Sequence, residues 1–410
     1  MEKTDRWILL TTVVLVCFGA LMIYSSTSVI TPVLAKKKVT EFYYFKRHLF
    51  TIVIGFIILF LTAYRLKLSF VQKHAIHLLI ASFILLILVF IPGIGVTAGG
   101  ATRWIRLWPS TFQPSELVKL SMVIFLAYYV SHPGYRHDNF ISFLKPIGIM
   151  MLFQILILKQ PDFGAAMSLA FLTLGMLFIS GTRLRYLASL GVFAVPVIIL
   201  LAMKPYRLQR ITCFLDPWKD AQGCGFQLIQ SFIALGSGGM TGVGLGSSKQ
   251  KLAYLPESHT DFIFSIIGEE FGLIGALIIV LLFLIIFIKG ITVAKRAKEP
   301  FVAYLATGLT LMISLQALIN FAVAIGLVPT KGLPLPFISY GGSSLLVNMA
   351  AVGMLLVISK GEDLSSVSSN REFLMRKKAR RNVYRRYPVP ETSMRSKADQ
   401  EAKGEGLLCG

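Results

Sequence analysis

Long apolar runs, separated by shorter polar segments, dominate the hydropathy pattern of the chain. The runs are continuous rather than alternating, which disfavours a closed membrane β-barrel, and one helical crossing needs about 20 apolar residues. Ten such runs lie at 7–30, 48–64, 75–92, 115–131, 143–159, 163–181, 184–203, 262–289, 301–327 and 338–359. We therefore predict an all-α polytopic membrane protein with about ten transmembrane helices.

The runs imply one ten-span membrane domain over residues 1–360, with a large extracytoplasmic segment at 204–261 between the seventh and eighth spans. The first run is too long for the core of a signal peptide, so we expect it to be a span. Residues 361–410 form a basic tail that we expect to be cytoplasmic and disordered. Within it, 371–386 holds eight basic residues and one acid, which fits either a solvated segment or a partner motif.

The composition excludes the soluble classes of protein. Hydrophobic residues make up 55% of the chain and charged residues 15%, against about 25% charged in an average soluble domain. A soluble enzyme, a disordered chain and a secreted disulfide scaffold are therefore excluded. The net charge of +21 lies in loops and in the tail, which indicates contact with membrane lipid headgroups and not with nucleic acid.

Four cysteines give neither a disulfide framework nor the spacing of a zinc site. Cys213 and Cys224 share the 204–261 segment and could pair if that segment lies outside the cell.

Unusual residues concentrate on one predicted face of the membrane. If all ten runs cross, including the weakest one between Lys145 and Lys159, four segments rich in Gly, Pro, Trp and charge fall on the outer side. These segments are 93–114, 159–163, 204–261 and 327–340. We therefore expect the protein to act at its outer face.

Three carboxylates each begin a span at that face, namely Glu116, Asp162 and Asp261. Bundled helices could bring them around one cavity, where carboxylates act as bases or hold a divalent cation. Lys119 shares a helix face with Glu116. The alternative is that the aspartates only cap helices and that the Glu116–Lys119 pair only positions its helix.

Other polar and charged residues lie near these acids in the sequence. Glu257 and His259 precede Asp261 and could tune its pKa, or they could be ordinary loop residues. The cations of Arg103 and Arg106 could hold phosphate.

Polar residues inside the predicted spans are harder to assign. Glu269 and Glu270, and the pair Gln316 and Asn320, fit interhelical hydrogen bonds or an interior site. The glycine cluster at 236–246 lacks the spacing of a nucleotide-binding loop and predicts a flexible or re-entrant segment.

Six motifs, in this order along the chain, resemble those of the SEDS family (shape, elongation, division and sporulation). They are GATRWI at 100–105, QPSELVK at 113–119, QPDFG at 160–164, LPESHTDFIF at 255–264, IGEE at 267–270 and PFISYGGSS at 336–344. The run GLGSSKQKL at 244–252 and Ser258 are similar to the division member, and the sporulation member stays open. Leu107-Trp108-Pro109 departs from the usual Leu-Gly-Pro, which affects only the packing of that loop.

The resemblance implies a ten-span peptidoglycan glycosyltransferase with both termini in the cytoplasm, placed in the cytoplasmic membrane at the division septum. Its substrate would be lipid II, and its partners a class B penicillin-binding protein and other divisome membrane proteins. The essential aspartate of the family maps onto Asp261, and its other catalytic positions onto Glu116, Lys119 and Asp162. Substrate contacts are expected at Arg103, Trp104, Arg106, Glu257, His259, Ser339, Tyr340 and Ser343.

The resemblance leaves a metal undetermined. No cofactor is expected beyond a divalent cation, Mg²⁺ or Mn²⁺, which would assist the departure of a pyrophosphate. Two other functions stay open from the sequence: a lipid II flippase or transporter, and a non-catalytic division scaffold that recruits partners through its tail. The absence of two related halves in the sequence speaks against a transporter.

Overall fold

The computed structural model describes residues 3–27, 43–98, 101–107, 110–192, 212–252, 255–256, 259–330 and 332–361. The predicted tail beyond Gly361, the site residue Glu257 and most of the seventh predicted span lie outside these residues. Of that seventh span, the chain is helical from Leu184 as far as Val192.

Helices make up most of the described chain, and their bounds follow the apolar runs. They are α1 (Lys3–Thr27), α2 (Tyr43–Arg65), α3 (Leu68–Lys73), α4 (Ala75–Leu88), α5 (Pro114–Ser131), α6 (Phe140–Lys159), α7 (Phe163–Ile179), α8 (Phe226–Gly238), α9 (Ile263–Arg296), α10 (Pro300–Ala324) and α11 (Gly342–Ser359). Within the described residues, six are long and apolar enough to cross a membrane, and α4 and α7 are shorter apolar helices. The polytopic helical membrane character is confirmed, whereas the number of ten spans stays a prediction.

The core of the bundle is built around α5, α10 and α11. Helix α5 packs against α4 and α10, α11 packs against α2, and α9 packs against α8, α10 and α1. Large apolar side chains remain exposed along one side of α2 and of α9. A soluble protein does not expose apolar surface on this scale, so these faces are the ones that contact lipid.

A small antiparallel sheet stands where the sequence predicted only a loop. Its strands are β1 (Gly95–Ala98), β2 (Ala101–Leu107) and β3 (Ser110–Phe112), in the order β1-β2-β3. The all-α prediction is therefore wrong for this segment. Alternation is present in β2, where Ala101 and Ile105 are buried and Arg106 is exposed, but seven residues were too few to stand out beside the long runs.

The glycine cluster packs against a break in α9. Gly272 interrupts that helix with φ 68°, and the backbone N–H of Leu273 donates to the carbonyl of Gly239 instead (2.9 Å). Val243 N–H in turn donates to the Glu269 carbonyl (3.0 Å). A Cβ at Gly242 would collide with the Glu270 carbonyl, so the close approach of the two backbones requires glycine.

Two acids at this break anchor the segment that follows the cluster. Glu269 accepts hydrogen bonds from the Ser248 hydroxyl and from the Lys249 backbone N–H. Glu270 pairs with Lys251 (Nζ–Oε1 3.1 Å) and accepts from Ser25 of α1. These acids hold a connecting segment against two helices, a role broader than the interhelical hydrogen bonds that the sequence suggested.

Candidate active site

A cavity of about 910 Å³ opens where α2, α5, α7, α9 and α11 begin. Seven of the residues predicted from the sequence line it: Arg103, Trp104, Asp162, His259, Asp261, Tyr340 and Ser343. Glu116, Lys119, Arg106 and Ser339 do not reach its surface in the described chain. Helix N-termini carry partial positive charge, so several of them around one cavity favour an anionic ligand.

Asp162 is held at the start of α7 by two donors. Its Oδ1 accepts from the Ala165 backbone N–H (3.1 Å), as an N-cap does, and its Oδ2 accepts from Gln113 Nε2 (2.8 Å). Burial raises the pKa of this carboxyl above its ordinary value, and the nearby Arg103 guanidinium opposes the rise. The same side chain therefore caps a helix and lines the cavity, and its part in the chemistry stays a prediction.

Arg103 projects from β2 toward the turn before α7. Its guanidinium donates to the carbonyls of Gln160 (3.2 Å) and Pro161 (2.5 Å). The sheet therefore fixes the cation beside Asp162. Arg106 is exposed on the same strand and lies outside the cavity lining.

Glu116, in the first turn of α5, and Lys119, in the next turn, form a buried ion pair. Lys119 Nζ lies 2.8 Å from Glu116 Oε1, and both side chains are almost fully buried. The same ammonium donates to Gln316 Oε1 of α10 (3.0 Å). The three-residue spacing predicted the pair, whereas the contact with Gln316 could not be predicted because it comes from a helix far along the chain.

Asp261 precedes α9 in a segment whose carbonyls are all bound. The Tyr340 backbone N–H donates to the His259 carbonyl (2.9 Å), Ser339 Oγ to the Thr260 carbonyl (2.6 Å), and Asn320 Nδ2 to the Asp261 carbonyl (2.8 Å). Ser339 therefore acts behind the cavity wall rather than in it.

Gly332 lies against the Asp261 carboxylate. A Cβ built at Gly332 would stand 3.2 Å from Asp261 Oδ2. The absence of a side chain there leaves room for the carboxylate in its observed position.

Ser343 and Tyr340 also line the cavity. Ser343 Oγ accepts from the Gln113 backbone N–H (2.8 Å) at the start of α5. The Tyr340 ring contacts the His259 and His48 rings, with centroids 5.9 Å apart in both pairs, and burial raises the pKa of Tyr340 to about 12. The phenol is therefore a neutral hydrogen-bonding group at physiological pH.

Helix α2 contributes residues that the sequence analysis missed, namely Arg47, His48 and Thr51. His48 is 1% exposed, and neither of its ring nitrogens has a hydrogen-bond partner among the described residues. A basic residue just before an apolar run reads as an orientation signal, and for this reason Arg47 was not singled out.

The described residues do not form a shared carboxylate site for a metal. Glu116, Asp162 and Asp261 are not a group whose ligand atoms lie within 4.8 Å of one another. A divalent cation would find oxygen ligands at Asp162 or Asp261, together with a bound phosphate.

Cys213 and Cys224 are joined by a disulfide bond at the cavity wall. We expect alkylation of the unfolded, unreduced protein to label only Cys17 and Cys409, which mass spectrometry would show.

Replacing both bonded cysteines by serine should lower the free energy of unfolding by about 2–4 kcal/mol, because the cross-link restricts the unfolded chain. Cys17→Ser is the matched control, and labelling of all four thiols would contradict the pairing.

Comparison with known proteins gives the family. Residues 5–363 match the FtsW/RodA/SpoVE family model, described as cell cycle protein. The chain is 45% identical over 361 residues to a probable peptidoglycan glycosyltransferase FtsW of Geobacter sulfurreducens, covering 88% of this chain and 96% of that one. It is 42% identical over 360 residues to the corresponding Coxiella burnetii protein, covering 87% and 96%.

Solved structures agree with this result. A chain of a peptidoglycan synthase complex that coordinates polymerization and crosslinking superimposes with a TM-score of 0.71 at 28% identity, covering 87% of this chain and 97% of that one. The rod shape determining protein RodA of Thermus thermophilus gives a TM-score of 0.64 at 25% identity, with 87% and 97% coverage. The chain belongs to the FtsW/RodA/SpoVE family of cell cycle proteins, the SEDS family that its motifs resemble.

Proposed function

We propose that the protein is a peptidoglycan glycosyltransferase that polymerises lipid II into glycan strands during septal wall synthesis. The observation that carries this proposal is the cavity in which Asp162, Asp261, Arg47 and Arg103 converge at the ends of the spans. The names of the similar FtsW proteins support the same reaction class.

The reaction joins two lipid-linked sugars. The 4-hydroxyl of one unit attacks the anomeric carbon of the other, so that a carbon–oxygen bond forms while the bond to the pyrophosphate breaks. We assign Asp261 as the general base that accepts the hydroxyl proton. A single displacement of this kind uses one base, needs no covalent intermediate and inverts the anomeric centre.

Cations and amide donors stabilise the leaving pyrophosphate. Arg47 and Arg103 line the cavity from two sides, and the helix N-termini add partial positive charge. Lys119, buried behind this wall, keeps Glu116 paired, while Tyr340 and Ser343 contact the sugars as neutral hydrogen-bonding groups. A divalent cation bound with the pyrophosphate would supply further positive charge.

The cavity belongs at the extracytoplasmic face in this proposal. Tyr24 near the end of α1 contacts Phe45 at the start of α2, beside the cavity, whereas Lys360 after α11 donates to the Ala63 carbonyl near the end of α2. The start of α1 and the end of α11 therefore lie at the end of the bundle away from the cavity. That end would be cytoplasmic, together with the basic tail. A class B penicillin-binding protein would be the partner, which the similarity to a chain of a synthase complex supports.

An assay of lipid II polymerisation tests the proposal. The protein is co-purified with its transpeptidase, and purified lipid II is added in the presence of penicillin. Penicillin blocks crosslinking, so only glycan synthesis is scored. We expect long strands from the complex and none from the transpeptidase alone. Movement of lipid II across vesicles without glycan would instead support a transporter, and the absence of both activities would support a scaffold.

Gly332→Ala should slow polymerisation by about 3- to 10-fold, because the added methyl pushes the Asp261 carboxylate out of its position. Strand synthesis measured on purified protein would show the change. Gly148→Ala is the matched control, since a Cβ at Gly148 meets nothing within 4 Å. Equal rates for both variants would mean that the carboxylate has room to move without loss.

A further inference from the structure

Helix α10 carries two buried amides, one turn apart, between Asp261 and Lys119. Gln316 is 2% exposed and Asn320 is 1% exposed. Residues four apart share one face of a helix, so both amides point the same way. Neither side chain lines the cavity, so neither would touch substrate.

Asn320 bridges two segments of backbone. Its Nδ2 donates to the Asp261 carbonyl and to the Leu333 carbonyl, each at 2.8 Å. Its Oδ1 has no partner among the described residues, so the amide acts here as a donor alone. The residue thereby ties the Asp261 segment to the loop that contains Gly332.

Gln316 uses both ends of its amide. Nε2 donates to the Pro334 carbonyl (2.9 Å) and to Ser344 Oγ (3.0 Å), while Oε1 accepts from Lys119 Nζ (3.0 Å). The two amides therefore hold adjacent carbonyls of one loop. Asn320 also bonds to the Asp261 carbonyl, and Gln316 also accepts from Lys119 of the Glu116–Lys119 pair.

Helix association alone does not account for these contacts. A polar side chain that only joined spans would bond to another helix, and such bonds average about 0.6 kcal/mol in membranes. Three of the four donor bonds made here end on backbone carbonyls outside helices. Losing such a donor leaves a buried carbonyl without a partner, which costs about 1–3 kcal/mol, and a shift of about 1 Å at a reacting group can cost about 10²-fold in rate.

We propose that Gln316 and Asn320 are positioning residues that fix the Asp261 carboxylate and the Lys119 ammonium relative to each other through Leu333 and Pro334. This inference rests on the proposed function, in which Asp261 is the base. The amides act by placement and exchange no proton.

The test compares Asn320→Ala and Gln316→Ala with Gln154→Ala in the purified complex. Gln154 is a matched control because its Nε2 donates to the Ala166 carbonyl (2.7 Å) between α6 and α7, and neither residue lines the cavity. We expect kcat for lipid II to fall about 10- to 100-fold in both α10 variants, with KM within about 3-fold. The fall in kcat should exceed what any loss of thermal stability explains, and the control should polymerise normally.

Gln316→Asn covers the case in which an alanine variant does not fold. It keeps the polar group but shortens it, so the amide no longer spans from Lys119 to Pro334, and kcat should again fall at nearly constant KM. Folded variants with wild-type kcat would overturn the inference, as would losses that follow thermal stability. Asp261→Asn in the same assay separates the two proposals: if it is active, the proposed base is wrong, and if it alone is silent, only the positioning role fails.

Discussion

Asp261→Asn should lower the rate of lipid II polymerisation by about 10²- to 10⁴-fold, the usual contribution of a general base. Asparagine keeps the shape of the side chain and leaves the backbone carbonyl free to accept from Asn320, so the segment should stay in place. The measurement is glycan strand synthesis by the purified complex with penicillin present. Normal expression, thermal stability and co-purification with the transpeptidase would show that the variant is folded.

Asp216→Asn is the matched control for this substitution. Asp216 is a solvent-accessible acid that pairs with Lys219 (3.2 Å) beside the cavity without lining it. Its loss should leave polymerisation unchanged. If Asp261→Asn made glycan at the wild-type rate, Asp261 would only stabilise the start of α9, and the base would have to be sought at Asp162, the other predicted acid that lines the cavity.

The sequence was a better guide to which residues line the cavity than to the hydrogen bonds that hold them there. Asp162, Asp261, Arg103 and Tyr340 lie far apart in the chain, yet their motifs placed them at one cavity. Order and identity of residues were sufficient for this step, because Asp162, Asp261 and Tyr340 each lie just before a span and the spans are bundled. The helical runs were found for a similar reason, since a bilayer demands a minimum apolar length.

The supporting contacts were not predictable in the same way. Gln316 and Asn320 were recognised as a polar pair on one face, but their partners at Leu333 and Pro334 belong to a loop with no regular pattern. Tertiary packing alone decides such contacts. The contribution of Arg47 from α2 was missed for the same reason, because a basic residue before a span carries no signal of what it faces.

Lys119→Met should be among the most destabilising single changes in the chain. It removes the ammonium that pairs with Glu116 at 2.8 Å and leaves a carboxylate buried without its counter-charge. Breaking a buried pair from one side costs about 3–5 kcal/mol, and a membrane interior does not hydrate the remaining charge. We expect a large loss of thermal stability in detergent, measured by fluorescence-detected size exclusion after heating, and no polymerisation.

The pair Lys219–Asp216 has the same three-residue spacing but is solvent-exposed, with the two side chains 80% and 42% accessible. Lys219→Met should therefore cost less than about 1 kcal/mol. The double variant Glu116→Gln/Lys119→Met removes both buried charges and should recover much of the lost stability, because a neutral pair needs no counter-charge. It should nevertheless stay inactive, because Gln316 loses its hydrogen bond from Lys119 and then no longer fixes the loop at Pro334 that positions Asp261. Recovery of activity along with stability would show that the pair only supports folding, and that the chemistry needs neither charge.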